Sequence, residues 1–317
     1  CIRDRDRGAV SMAGHAGTAF WFSKAAGEFV TSTFYLDAYP DWVVDFNAND
    51  PAGAYAGTNW ELMDERETYI FGDQDDQPWE TSLGSFGRVF PHAYGPADDP
   101  YFTTYLTLSP AGDEMTLAFA KELLVNEGLG NDEVTDYLSV SFSSTDYVGH
   151  IFGPSSLEAE DNLRRLDRSL ADLLSFVDEQ VGLDQTLVVL SADHGGPEPP
   201  PQLQTYGLDA HYVDPDSWDK EAGIARLKDR FGVGEELIDA FFPPYVYLNR
   251  EVMESHGLDA TEVEEAVARE IMKFEGVSLA ISSHALTGGG IPVTPLTESV
   301  LHSHNPVSYT HLRAHET

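Results

Sequence analysis

Thr186-Leu187-Val188-Val189-Leu190-Ser191-Ala192-Asp193-His194-Gly195-Gly196 is an apolar, partly β-branched run that stops on a carboxylate and an imidazole. Such a run predicts a parallel strand covered on both faces, and Gly195 and Gly196 mark a sharp turn out of it. Ligands of such sheets sit just beyond the carboxyl ends of the strands. The pattern recurs upstream, where Tyr137-Leu138-Ser139-Val140-Ser141-Phe142 leads through Ser143, Ser144 and Thr145 into Asp146-Tyr147-Val148-Gly149-His150. This predicts a second strand ending in Asp and His.

The intervening segment predicts one crossover helix. Ser155 and Glu158 have the spacing of a capping box, Leu163, Leu166, Leu170, Leu173, Leu174 and Val177 recur at helical spacing, and Gly182 ends the run. Two strands joined by a right-handed crossover point the same way, so both Asp/His pairs are expected at one sheet edge. Asp and His offer the oxygen and nitrogen ligands that suit zinc, and two pairs at one edge suit two ions working on a phosphoryl group. Each piece alone has a plainer reading. An Asp-His dipeptide after a strand is commonly a turn with a capped carboxylate, and Asp146 with His150 has the spacing of a surface pair on a helical turn. The joint occurrence of both pairs, linked by a crossover, favours the metal reading.

Ser-Ser-Thr-Asp-Tyr-Val-Gly-His at 143–150, Phe-Gly-Pro-Ser-Ser at 152–156, Arg-Leu-Asp-Arg at 165–168 and Leu-Ser-Ala-Asp-His-Gly at 190–195 together resemble the alkaline phosphatase superfamily. The resemblance is to its zinc-dependent phosphomonoesterase branch, near the type I phosphodiesterases, and runs from about Asp6 to about Pro306. It implies an α/β fold with a mostly parallel central sheet, helices on both faces, an inserted cap and a peripheral α+β subdomain. It also implies phosphate monoester hydrolysis with two Zn2+ ions. Asp146 and His150 would hold the ion at the leaving oxygen, and Asp193 and His194 the ion that activates a Thr or Ser nucleophile. Arg5-Asp6-Arg7-Gly8-Ala9-Val10 is similar to the family's Lys-Asp-Arg-Gly-Ala-Val segment. Arg7 is thereby the candidate catalytic clamp on the phosphate, since a planar guanidinium binds two phosphate oxygens at once; Arg5 stands at the Lys position. The family's nucleophile and an upstream Asp ligand are expected before Arg7, and a late His ligand after Pro306. A polypeptide without them is expected to be a nearly inactive fragment of an active parent. A phosphodiesterase or nucleotide pyrophosphatase is the nearest alternative, a sulfatase a more distant one, and a noncatalytic acidic binding protein the alternative of another class.

The formal charge of −36 arises from 54 acidic against 18 basic residues. It opposes nonspecific nucleic-acid binding and leaves an anionic substrate dependent on local cations. Such a surface suits salty water, and equally a merely acidic protein. No apolar stretch has membrane-spanning length, so no transmembrane helix is predicted. Family resemblance points to a periplasmic or extracellular setting. The single cysteine, Cys1, excludes an internal disulfide.

Residues 1–5 and 307–317 resemble translated sequencing-adapter sequence and are set aside, the His311/His315 spacing with them. Within 6–306, about 15–105 is the expected cap insertion, 106–200 the metal-binding core and 201–300 a rim loop with a peripheral subdomain. Ala19–Ser23 and Phe29–Tyr35 predict a hairpin, and Tyr39–Asn47 a short helix. Pro110 and the acidic residues after it open a helix that ends at Gly128. A helix near Glu235–Phe241, a strand at Tyr245–Leu248, a helix from Thr261 and an apolar run at Val277–Ile281 predict a βαβ-type subdomain. His211 is the remaining ligand candidate by location, with a surface histidine the plainer reading. His92 has no ligand partner at a recognisable spacing.

Overall fold

The computed structural model describes residues 2–3, 6–242, 245–289 and 291–303, and side chains from Gly8 to Phe242, from Tyr245 to Gly289 and from Ile291 to His302. Arg5, Cys1 and the 307–317 tail lie outside the described residues, as does the side chain of Arg7, whose backbone belongs to the helix Asp6–Ala13. The chain forms two compact units, Cys1–Ala210 and His211–Thr317.

In the first unit Ile2–Arg3 is the centre of a mostly parallel sheet. It pairs in parallel with Phe20–Trp21 on one side and with Val140–Ser141 on the other, and Phe20–Ser23 continues into Glu28–Val30 through an antiparallel hairpin. The hairpin turns between the expected segments because Gly27 sits at φ 73°, a conformation that costs glycine little, but its second strand ends at Val30 rather than running to Tyr35. The helix Pro110–Asn126 packs Phe119 flat on Phe29 at 4.3 Å and against Phe20, Trp42 and Phe46. Aromatic pairs of this kind contribute about 0.5–1.5 kcal/mol each beyond their buried area, and they fasten the sheet to the helix that later positions the candidate site.

The expected second strand differs. Residues 186–192 have no regular secondary structure and belong to no β-ladder, and Leu187, Val189 and Leu190 are 78–89% exposed. Apolar patterning reports a preference for burial; a strand also needs a neighbour to accept its backbone groups. Among the described residues the edge at Val140–Ser141 does not provide one. The upstream strand is likewise short, because Tyr137–Ser139 make no ladder bonds.

The crossover helix spans Leu157–Gln180. Its cap is Ser156, whose Oγ accepts the Ala159 N–H at 3.1 Å, whereas the expected capping residue Ser155 donates to Glu198. The leucine stripe is not the buried face: Leu163 is 50% exposed, while Glu158, Asp161 and Asn162 are buried. The reason is the irregular excursion of residues 50–99, which lays its only ribbon, Asn59–Trp60 paired with His92–Ala93, against the helix's polar face. Asp161 accepts the Trp60 indole N–H and the Tyr69 hydroxyl at 2.6 Å, and the Met63 N–H and Arg165 Nε at 2.8 Å. His92, fully buried, meets Phe86 O at 3.0 Å through Nδ1 and Glu158 Oε1 at 3.1 Å through Nε2. Burial pushes the Glu158 carboxyl up, against the lowering pull of His92.

The second unit packs Trp218, Ile224, Leu237, Met253, Val263, Val267 and Ile271 into its own core. Residues 238–241 of the expected helix 235–241 belong instead to a strand, Ile238–Phe242, antiparallel to Tyr245–Leu248. The subdomain is therefore an α+β hairpin arrangement rather than βαβ, and Val277–Ile281 forms no strand. Asp219 organises the hairpin by accepting the Leu237 and Ile238 N–H groups and Lys228 Nζ at 2.7–2.8 Å. Burial opposes its charge, but these bonds outweigh it and hold the carboxyl below its usual range.

Candidate metal centre

Asp146 and His150 lie on the helix Ser144–Phe152 rather than on a strand end. Its buried residues Ser144, Val148 and Phe152 recur every four positions and fix its rotation. That rotation turns the Asp146/His150 stripe away from the core. The order of the two residues suits the helix dipole, with the carboxylate in the first turn and the imidazole in the last. Gly153, at φ 100°, ends the helix.

Asp193 and His194 come from the exposed segment, and their side chains are 72% and 56% accessible. The segment nonetheless brings His194 to the helix. Asp146 Oδ1 stands 3.3 Å from His150 Nε2 and 3.4 Å from His194 Nε2, while Asp193 Oδ2 is 3.9 Å from His194 Nε2. The pairs that adjoin in sequence are thus joined across the two segments, with Asp146 between the imidazoles. His194 Nδ1 lies 3.0 Å from Gly195 O. An N–H donated there leaves the Nε2 lone pair directed toward Asp146, the tautomer a metal ligand needs.

Tetrahedral zinc ligands bonded at about 2.0–2.1 Å stand about 3.3–3.4 Å from one another. The Asp146–His150 and Asp146–His194 separations therefore fit a shared cation in donor type and pairwise spacing. The set does not close: among the described residues no group of three or more His, Cys, Asp or Glu has the geometry to hold a metal ion. His211 begins the second unit.

Sequence patterns missed the support behind the helix. Asp113 Oδ1 accepts the Ser144 N–H at 3.1 Å, and Asn162 Nδ2 donates to Thr145 Oγ1 at 3.0 Å. Neither residue has a motif spacing to the helix. Buried polar residues in otherwise amphipathic helices were the available signal.

Residues 8–284 match the family described as type I phosphodiesterase / nucleotide pyrophosphatase. The chain belongs to this family, within the alkaline phosphatase superfamily. It is 34% identical over 303 residues to alkaline phosphatase PafA of Elizabethkingia meningoseptica, covering 95% of this chain and 55% of that protein. A Myroides odoratus protein named calcium-transporting ATPase is 33% identical over 308 residues, covering 96% and 56%. The crystal structure of wild-type PafA superposes with a TM-score of 0.82 at 34% identity, covering 96% of this chain and 58% of that one. The chain thus spans a little over half the length of these relatives, and it shares the α/β fold of PafA. Among the described residues no helix is long and apolar enough to cross a membrane.

Proposed function

We propose that the protein these residues serve hydrolyses phosphate monoesters with the help of two divalent cations, zinc by donor type. The observation that supports a cation here is Asp146 Oδ1 lying within 3.3–3.4 Å of both His150 Nε2 and His194 Nε2, in a chain of this family; the count of two ions rests on the family resemblance. Asp146, His150, Asp193 and His194 would hold the ions, which supply positive charge against the phosphate oxygens. That charge matters more here than in a neutral protein, because a net charge of −36 repels an anionic ester. Asp146, in the first turn of its helix, stands between the two imidazoles, and an Nδ1–H donated to the Gly195 carbonyl would leave His194 in the ligating tautomer. By family resemblance Arg7 clamps the phosphate, and a second cation at the family's Lys position would favour the more highly charged monoester over a diester. The resemblance also points to a setting outside the cytoplasm. Four donors shared by two ions give each fewer than the usual three protein ligands, so this chain alone holds metal weakly and turns over slowly.

Cobalt stands in for zinc and reports its ligand field by absorption. Titrating the chain with Co2+ is expected to develop d–d bands that weaken at least tenfold in apparent affinity in Asp146→Asn. Matched aryl monoester and diester substrates, assayed with Zn2+, should show preference for the monoester. Absence of cobalt bands in the unmodified chain overturns the metal reading, and faster diester turnover overturns the choice of ester.

A further inference from the structure

The helix that carries Asp146 lacks a cap of its own. Ser143, the residue before it, makes no side-chain bond to the first-turn amides. A helix start leaves four N–H groups without intrahelical partners, and its beginning is set by whatever satisfies them. Here the acceptor comes from another helix: Asp113, 2% exposed in Pro110–Asn126, accepts the Ser144 N–H at 3.1 Å. A carboxylate at this position also faces the positive end of the helix dipole. The following residue is held from a third helix, where Asn162, 1% exposed in Leu157–Gln180, donates Nδ2–H to Thr145 Oγ1 at 3.0 Å.

The start of the site helix lies close against Pro110–Asn126. A Cβ on Gly112, next to Asp113, would lie 3.0 Å from Ser144 Oγ and 3.2 Å from Leu106 O and Thr107 Cα. The helix start therefore has little freedom to slide toward Pro110–Asn126. Ser144 and Thr145 immediately precede Asp146, and a shift or rotation of the first turn moves the Asp146 carboxylate relative to both imidazoles. His194 is the more sensitive partner, because it sits on a different segment and does not travel with the helix.

We infer that Asp113 and Asn162 are positioning residues of the candidate centre: from two separate helices they pin Ser144 and Thr145 and thereby set Asp146 between His150 and His194. The inference rests on the proposed function for the centre's purpose, but the pinning itself is testable without metal. In the metal-free chain, Asp113→Ala is expected to speed amide hydrogen exchange at residues 144–147 by about 10–100-fold, the equivalent of one charged hydrogen bond. Exchange in the middle of Pro110–Asn126 should stay unchanged. Asp113→Asn, which keeps an oxygen acceptor, should recover most of the protection. In cobalt titrations Asp113→Ala and Asn162→Ala should each weaken binding about 10–100-fold, in the range of lost outer-sphere support. Asn162→Ala should have no further effect once Thr145→Val has removed its acceptor, which separates positioning from general loss of packing.

Unchanged exchange at 144–147, or equal acceleration across Pro110–Asn126, overturns the inference for Asp113. Additive effects of Asn162→Ala and Thr145→Val overturn it for Asn162; that pair also serves if Asp113→Ala does not fold. If the unmodified chain binds no cobalt, the proposed function falls, and the exchange measurement still decides whether the helix start is pinned.

Discussion

Glu80 sets a pH dependence that one isosteric substitution should remove. Its side chain is buried, with Oε2 accepting the Gln77 N–H at 3.0 Å and Oε1 without a hydrogen-bond partner among the described residues. Burial pushes its carboxyl from 4.5 up to about 8; the Gln77 bond pulls it down, Glu158 and Asp75 raise it further, and Arg88 opposes them. The folded state therefore holds a proton that the unfolded chain has released. This contribution is fully present below about pH 4.5 and is lost as pH rises through about 8. At about 1.4 kcal/mol per unit, a rise from 4.5 to about 8 integrates to about 5 kcal/mol, an upper bound because water relaxes around a carboxylate once it ionises. Glu80→Gln keeps the shape and the acceptor for Gln77 but cannot ionise. Urea unfolding followed by circular dichroism should find the two proteins within about 1 kcal/mol at pH 5 and the variant about 2–4 kcal/mol more stable at pH 9. Groups that do not face Glu80 titrate alike in both proteins and cancel in the difference, whereas Glu158, Asp75 and Arg88 are coupled to it and their response belongs to the measured effect. Stability curves that run parallel from pH 5 to 9 would show that Glu80 is hydrated or paired in solution, and the reasoning from its burial would fail.

Asp161→Ala removes the acceptor for Trp60, Met63, Tyr69 and Arg165 together, so denaturant unfolding should register a loss of about 3–5 kcal/mol. A loss below about 1 kcal/mol would mean that the excursion is held chiefly by its apolar contacts. The uncharged run at 187–190 presents exposed backbone and apolar side chains in an otherwise acidic chain, so light scattering should detect concentration-dependent association that Val189→Lys suppresses. Equal scattering by the two proteins would refute the assignment of association to this run.

Local patterns in the sequence correspond to local structure where the physics is local. Pro110 begins its helix, Gly27 turns its hairpin and Asp41–Ala48 is helical, because each depends on φ preference or near-neighbour spacing. Asp146 does stand beside His194, but no strand–helix–strand crossover brings them together, because 186–192 joins no ladder and Asp146 lies on a helix. What could not be read was the identity of each neighbour. Leu163 and Leu166 have the period of a core face, yet the excursion covers the opposite side of that helix, where Trp60, Tyr69 and Arg165 bond the buried Asp161 and His92 meets Glu158 Oε1. The same limit governs 186–192: alternation and branching express what a residue would gain by burial, while ladder bonds depend on a second segment whose position no periodicity encodes. Asp113 shows the consequence for function. Its spacing within its own helix marks it only as a first-turn acid, but its carboxylate caps a different helix, so the residue that sets the geometry of the candidate centre carries no motif of that centre.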